Sequence, residues 1–93
     1  MAQFTVRVEL HQAEWEDYET LHSAMEQSGF SRLITGDNGT TYQLPLAEYN
    51  ATANLTSSQV LDIARAAANT TGKQNAVLVS QAISRSWIGL SLN

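Results

Sequence analysis

Residues 4–10, FTVRVEL, alternate without exception. Phe4, Val6, Val8 and Leu10 point one way, and Thr5, Arg7 and Glu9 point the other, with His11 continuing the polar set. A side-chain period of two describes a half-buried strand, so the rest of the chain must supply a cover for one face.

The period then changes. Residues 13–28 contain no Gly or Pro, and Trp15, Tyr18, Leu21, His22 and Met25 recur at spacings of three and four. That spacing predicts an amphipathic helix with Trp15 and Tyr18 on its apolar stripe and His22 as a helix-boundary residue. Glu14, Glu16 and Asp17 open it, where negative charge suits the helix dipole, and Gly29 closes it. A second helix is announced by Leu55-Thr56-Ser57-Ser58-Gln59-Val60. Thr56 and Gln59 are spaced for a capping box, and Leu55 and Val60 for a hydrophobic staple. That helix runs on through Ile63, Ala64, Ala67 and Ala68 towards Gly72, and its alanines permit close approach to a sheet.

Between the helices, residues 30–35 and 40–44 read as strands, and residues 48–53 continue or replace the latter after Pro45. Pro45 has no donor for a ladder bond and predicts a break, a bulge or an edge. The GDNG at residues 36–39 poses a choice between a phosphate-cradling loop and a turn. A phosphate loop needs a following helix and a Lys-Ser/Thr; here another strand follows, so a hairpin turn is expected. Residues 76–79 form a further strand, and residues 80–92 either extend it or add a short fifth one.

The order β-α-β-β-α-β predicts an α+β, ferredoxin-like single domain: one four-stranded antiparallel sheet with both helices on one face. The first strand then lies centrally. The open face carries Arg7 and Glu9, with Glu48, Asn50 and Thr52 from the third strand.

Charge and cysteine narrow the function. The net charge is −4 with five basic residues, which counts against broad nonspecific nucleic-acid binding but leaves room for a local arginine site. No cysteine occurs, so no disulfide-linked partner and no thiolate metal site are expected. No segment approaches the ~18 apolar residues of a membrane span, and no export signal opens the chain, so a cytoplasmic protein is expected. His11 and His22 lie on different elements, and the acidic run Glu14, Glu16, Asp17 and Glu19 reads as a solvated helix face; neither predicts a metal centre.

Residues 30–65 carry a denser pattern: Phe30-Ser31, Leu33-Ile34, Gly39, Gln43-Leu44, Tyr49, Leu55, Ser58, Val60 and Asp62. Val6, Val8, Glu9, Leu21, Ser23 and Met25 fit more loosely. This stretch resembles the GhoS family, small RNA-cleaving antitoxins of type V toxin–antitoxin systems. The resemblance implies a ferredoxin-like fold similar to small CRISPR-associated nucleases. It also implies cleavage of the single-stranded message of a small membrane-damaging toxin. In the CRISPR-associated relatives an acid near the end of the first strand is a metal ligand, and Glu9 stands nearest that place.

The expected catalytic set is Glu9, Arg7 and His11. Glu9 or His11 would be the base and Arg7 the phosphorane partner, with either no cofactor or a divalent cation such as magnesium. Arg32, Tyr42, Gln43 and Arg85 are the expected RNA-binding residues. The competing expectation is a noncatalytic module that uses the open face or an edge strand to bind a protein or a second copy of itself.

Overall fold

The computed structural model describes residues 1–93. Six strands and two helices follow the order β1 (Ala2–Leu10), α1 (Trp15–Gln27), β2 (Leu33–Thr35), β3 (Thr41–Gln43), β4 (Glu48–Ala53), α2 (Ser57–Asn69), β5 (Asn75–Ala82) and β6 (Ser91–Leu92). The α+β class is as expected, but the ferredoxin-like layout is not formed. In place of one four-stranded sheet there are two antiparallel sheets of three strands, ordered β4-β1-β5 and β2-β3-β6.

The cause lies in the middle of the chain. β2 and β3 are three residues each and pair with one another, Leu33 with Gln43 and Thr35 with Thr41. The turn at 36–39 closes them: Gly36 N–H donates to Thr40 O, Thr40 N–H donates to Asn38 Oδ1, and Gly39 sits at φ +81°. GDNG is therefore the hairpin turn. After β3 the chain reverses at Pro45, where Glu48 N–H bonds Pro45 O and Ala47 adopts φ 64°. Backbone pairing of the outer side of β4 with the segment that leads into the hairpin is limited to one bridge, Ser31 with Asn50, beside a side-chain bond from Asn50 Nδ2–H to Leu33 O. β3 takes its second partner from the C-terminus, with Tyr42 opposite Leu92 and Gln43 opposite Ser91. The short extra strand exists, but it belongs to the second sheet.

The first strand behaves as its pattern demands. β1 is central, with Val6 opposite Tyr49 on β4 and Val79 on β5. Phe4, Val6, Val8 and Leu10 are buried with Leu21 and Met25 of α1 and with Val60, Ala64, Ala67 and Ala68 of α2, so both helices cover the same face. Thr5, Arg7 and Glu9 share the other face with Asn50 and Glu48 of β4 and with Leu78 and Ser80 of β5, by register. Trp15 departs from expectation: it is 60% exposed, and Tyr18 is the residue of that pair that packs on the core.

The capping box of α2 is closed in both directions. Gln59 N–H donates to Thr56 Oγ1, and Thr56 N–H donates to Gln59 Oε1. Thr56→Ala leaves helix donors unsatisfied and is expected to cost about 1 kcal/mol, read as a lower urea midpoint at unchanged slope.

Candidate functional site

Polar groups gather in three places. The first is the open face of β1. Glu9 Oε1 and His11 Nε2 are 2.9 Å apart, both well exposed, and Arg7 lies two residues earlier on the same face. The structure thus brings together the three residues expected to be catalytic. Arg7 and Glu9, without His11, line a shallow hollow of about 170 Å³ backed by Ala76, Val77 and Leu78.

The second place lies where α1 meets the start of the hairpin. His22 is in mid-helix, not at a boundary, and its Nδ1 is 2.6 Å from the hydroxyl of buried Tyr49. Arg32, half-buried, donates from Nη2 to Leu44 O. His22 Nε2 and Arg32 Nε are shielded from water and have no protein partner. Both residues line a cleft of about 300 Å³ together with Glu26, Ser31 and Gln43. Each of these two cleft-lining residues thus keeps one orphaned polar atom, and a buried unpaired donor or acceptor is costly.

Burial and, less strongly, the neighbouring Arg32 charge lower the pKa of His22, against smaller opposing effects of Glu19 and Glu26. The imidazole is therefore neutral at pH 7. When Tyr49 O–H donates to Nδ1, Nε2 carries the proton and is a donor; in the other tautomer Nε2 is a free base. Because the folded pKa lies below the unfolded value, the unfolded chain takes up a proton first as pH falls. Stability is therefore full above about pH 6.5 and declines as pH drops towards the folded value. His22→Gln should remove that acid-side decline from a series of urea melts.

The third place lies between the hairpin turn and residues 83–87. A cleft of about 340 Å³ is bordered by Gln3, Gly36, Asp37, Arg85 and Trp87. A second hollow of about 360 Å³ shares Gly36, Asp37, Arg85 and Trp87 and adds Tyr42. Arg85 Nη1 donates to Phe4 O and Thr5 Oγ1, and Nη2 donates to Gln3 Oε1, which ties residues 83–87 to the first strand. The expected RNA-binding residues are thus split: Arg32 and Gln43 line the second place, Tyr42 and Arg85 the third.

One property joins the three. The chain has only two ion pairs, Glu9–His11 and Asp17–Lys73. Arg7, Arg32, Arg65 and Arg85 all lack a carboxylate within bridging distance, although acids outnumber bases nine to five. No three His, Asp or Glu side chains converge as a metal centre would require. No helix is long and apolar enough to cross a membrane.

Such a chain is a small α+β protein whose clefts offer unpaired donors and uncompensated guanidinium groups. The family model for Endoribonuclease GhoS matches residues 1–83, and the chain belongs to that family of endoribonuclease antitoxins. The match runs beyond residue 72, where the likeness in the sequence fades, and stops before Arg85 and Trp87. No curated protein matches the chain.

The residue that the sequence concealed is His22. Helical spacing placed it beside the core stripe, and its partner Tyr49 is 27 residues away.

Proposed function

We propose that this protein cleaves single-stranded RNA by internal attack, with the cleft of His22 and Arg32 as the catalytic centre. The observation that carries this is that His22 and Arg32, each with a shielded and unpartnered nitrogen, line one cleft. Neutral His22 takes the proton of a ribose 2′-hydroxyl at Nε2, with Nδ1–H held on Tyr49. The 2′-oxygen bonds to the adjacent phosphorus, the bond to the 5′-oxygen breaks, and the leaving oxygen takes a proton from water, whose hydroxide is neutralised by the proton that His22 then gives up. Arg32 Nε–H meets the charge that builds on the phosphoryl oxygens. Gln43 sits in the same cleft with a side-chain amide to offer the RNA. The products are a 2′,3′-cyclic phosphate and a 5′-hydroxyl, and the reaction needs no metal. In this reading the substrate is the message of a small membrane toxin.

A second assignment of the same reaction rests on the 2.9 Å contact between Glu9 and His11. There the carboxylate orients the imidazole, Arg7 faces the phosphate, and a magnesium ion would find Glu9 as its oxygen ligand.

The test is end-labelled AU-rich RNA with wild type, His22→Gln, Glu9→Ala and His11→Ala, each with magnesium and with EDTA. We expect cleavage in EDTA, cyclic phosphate ends, and a loss of about 10²–10⁴-fold in His22→Gln only. Loss confined to Glu9→Ala and His11→Ala would move the centre to the open face. A requirement for magnesium would reject the metal-free route. Intact RNA in every lane would leave a noncatalytic interaction module, with exposed Leu78 on the edge strand β5 and exposed Ile83 just past its end.

A further inference from the structure

The C-terminal segment adds something that the family match does not reach. Trp87 meets Tyr42 edge to face, with centroids 5.8 Å apart and planes at 70°. Its indole also lies against the hairpin turn: a Cβ on Gly36 would come 3.4 Å from Trp87 Cζ2 and 3.2 Å from Asn38 Oδ1. The ring is therefore held in place from two directions and only half-buried. Beside it stands Arg85, whose three bonds all go to neutral acceptors. Asp37 and Gln3 supply acceptors and an amide along the rim.

A site of this kind has an aromatic face, a nearby guanidinium plane and polar groups of both senses at its edge. We propose that it takes one unpaired nucleobase of the RNA, stacked on Trp87, and so contributes to the choice of cleavage position. This rests on the RNA reading above and deepens it. A phosphate is a poorer occupant, because Asp37 lines both hollows and would repel it. Paired bases are excluded by chemistry, since their faces are already stacked within the duplex.

Two tryptophans occur, and Trp15 is remote in sequence and exposed, so Trp15→Phe leaves Trp87 as the single reporter. The probe is a 2′-O-methyl single-stranded dodecamer, which offers no attacking hydroxyl and is not cut by internal attack. We expect it to quench Trp87 fluorescence saturably, and its duplex not to. In the otherwise native chain, Trp87→Leu should weaken binding by ~10-fold or more, the size of one lost base–aromatic stack, while Trp87→Phe stays within about threefold. The same dodecamer with abasic sugars should bind wild type weakly and show no further loss with Trp87→Leu.

Equal affinity of wild type and Trp87→Leu for the dodecamer overturns the proposal, as does an equal loss in the Phe and Leu variants or on the abasic probe. Cleavage assayed on the same preparations separates the two readings. Intact cleavage without Trp87-dependent binding rejects the base site alone. Trp87-dependent binding without cleavage keeps the base site and rejects the catalytic assignment. Absence of both rejects the RNA reading and this proposal with it.

Discussion

Arg32→Ala is expected to lower single-turnover RNA cleavage by about 10²–10³-fold, the usual cost of removing one donor aimed at a developing oxyanion. The side chain is held by its Nη2–H bond to Leu44 O, which leaves Nε–H directed elsewhere and unpartnered. No carboxylate lies within bridging distance of its charge. Arg32→Lys keeps a positive charge but loses the planar fork, so it should recover only part of the rate. Losing the Leu44 bond costs the fold about 1 kcal/mol, so melts run beside the assay separate chemistry from unfolding. Arg32→Ala combined with His22→Gln should be little worse than either alone, because the two act on one transition state. An Arg32→Ala protein that melts normally and cuts at the wild-type rate would remove this cleft from the mechanism.

The largest stability effect should come from Phe4→Ala. Phe4 is fully buried on the central strand, flanked by Ala51 and Gln81, and belongs to the cluster that both helices cover. Truncating a buried Phe removes transfer free energy and leaves a cavity, together ~3–5 kcal/mol. A chain of this length has roughly 5–14 kcal/mol in total. The urea midpoint should therefore fall by a large fraction with little change in slope. Arg7→Ala, on the opposite face of the same strand, should stay within ~0.5 kcal/mol. Similar losses at both positions would mean that the alternating pattern does not describe the packing.

Much of the candidate chemistry was legible in kind but not in grouping. Glu9, Arg7 and His11 follow one another on a strand, so their shared face could be read from a period of two. Arg32, Gln43, Tyr42 and Arg85 could be named as candidates for RNA contact, but not divided between two clefts. Tyr42 and Gln43 are adjacent and point to opposite faces, and their cleft partners come from α1 and from residues 83–87. Tyr49 is wholly buried, and its hydroxyl is used to hold His22.

What the sequence determined by itself is local. The half-buried first strand, the hairpin at GDNG, the break at Pro45, the capping box of α2 and the membership of the open face all depend on a few neighbouring side chains or on one strand's period. The tertiary structure alone decided how the strands divided into two sheets. Every free strand edge offers the same backbone donors and acceptors, so pairing is settled by which edges the turns bring together. Here the left-handed backbone of Ala47, which no glycine announces, and the return of residues 91–92 to β3 settled it. The same long-range placement set His22 beside Tyr49 and Arg32, and burial then lowered its pKa and left its second nitrogen unpartnered.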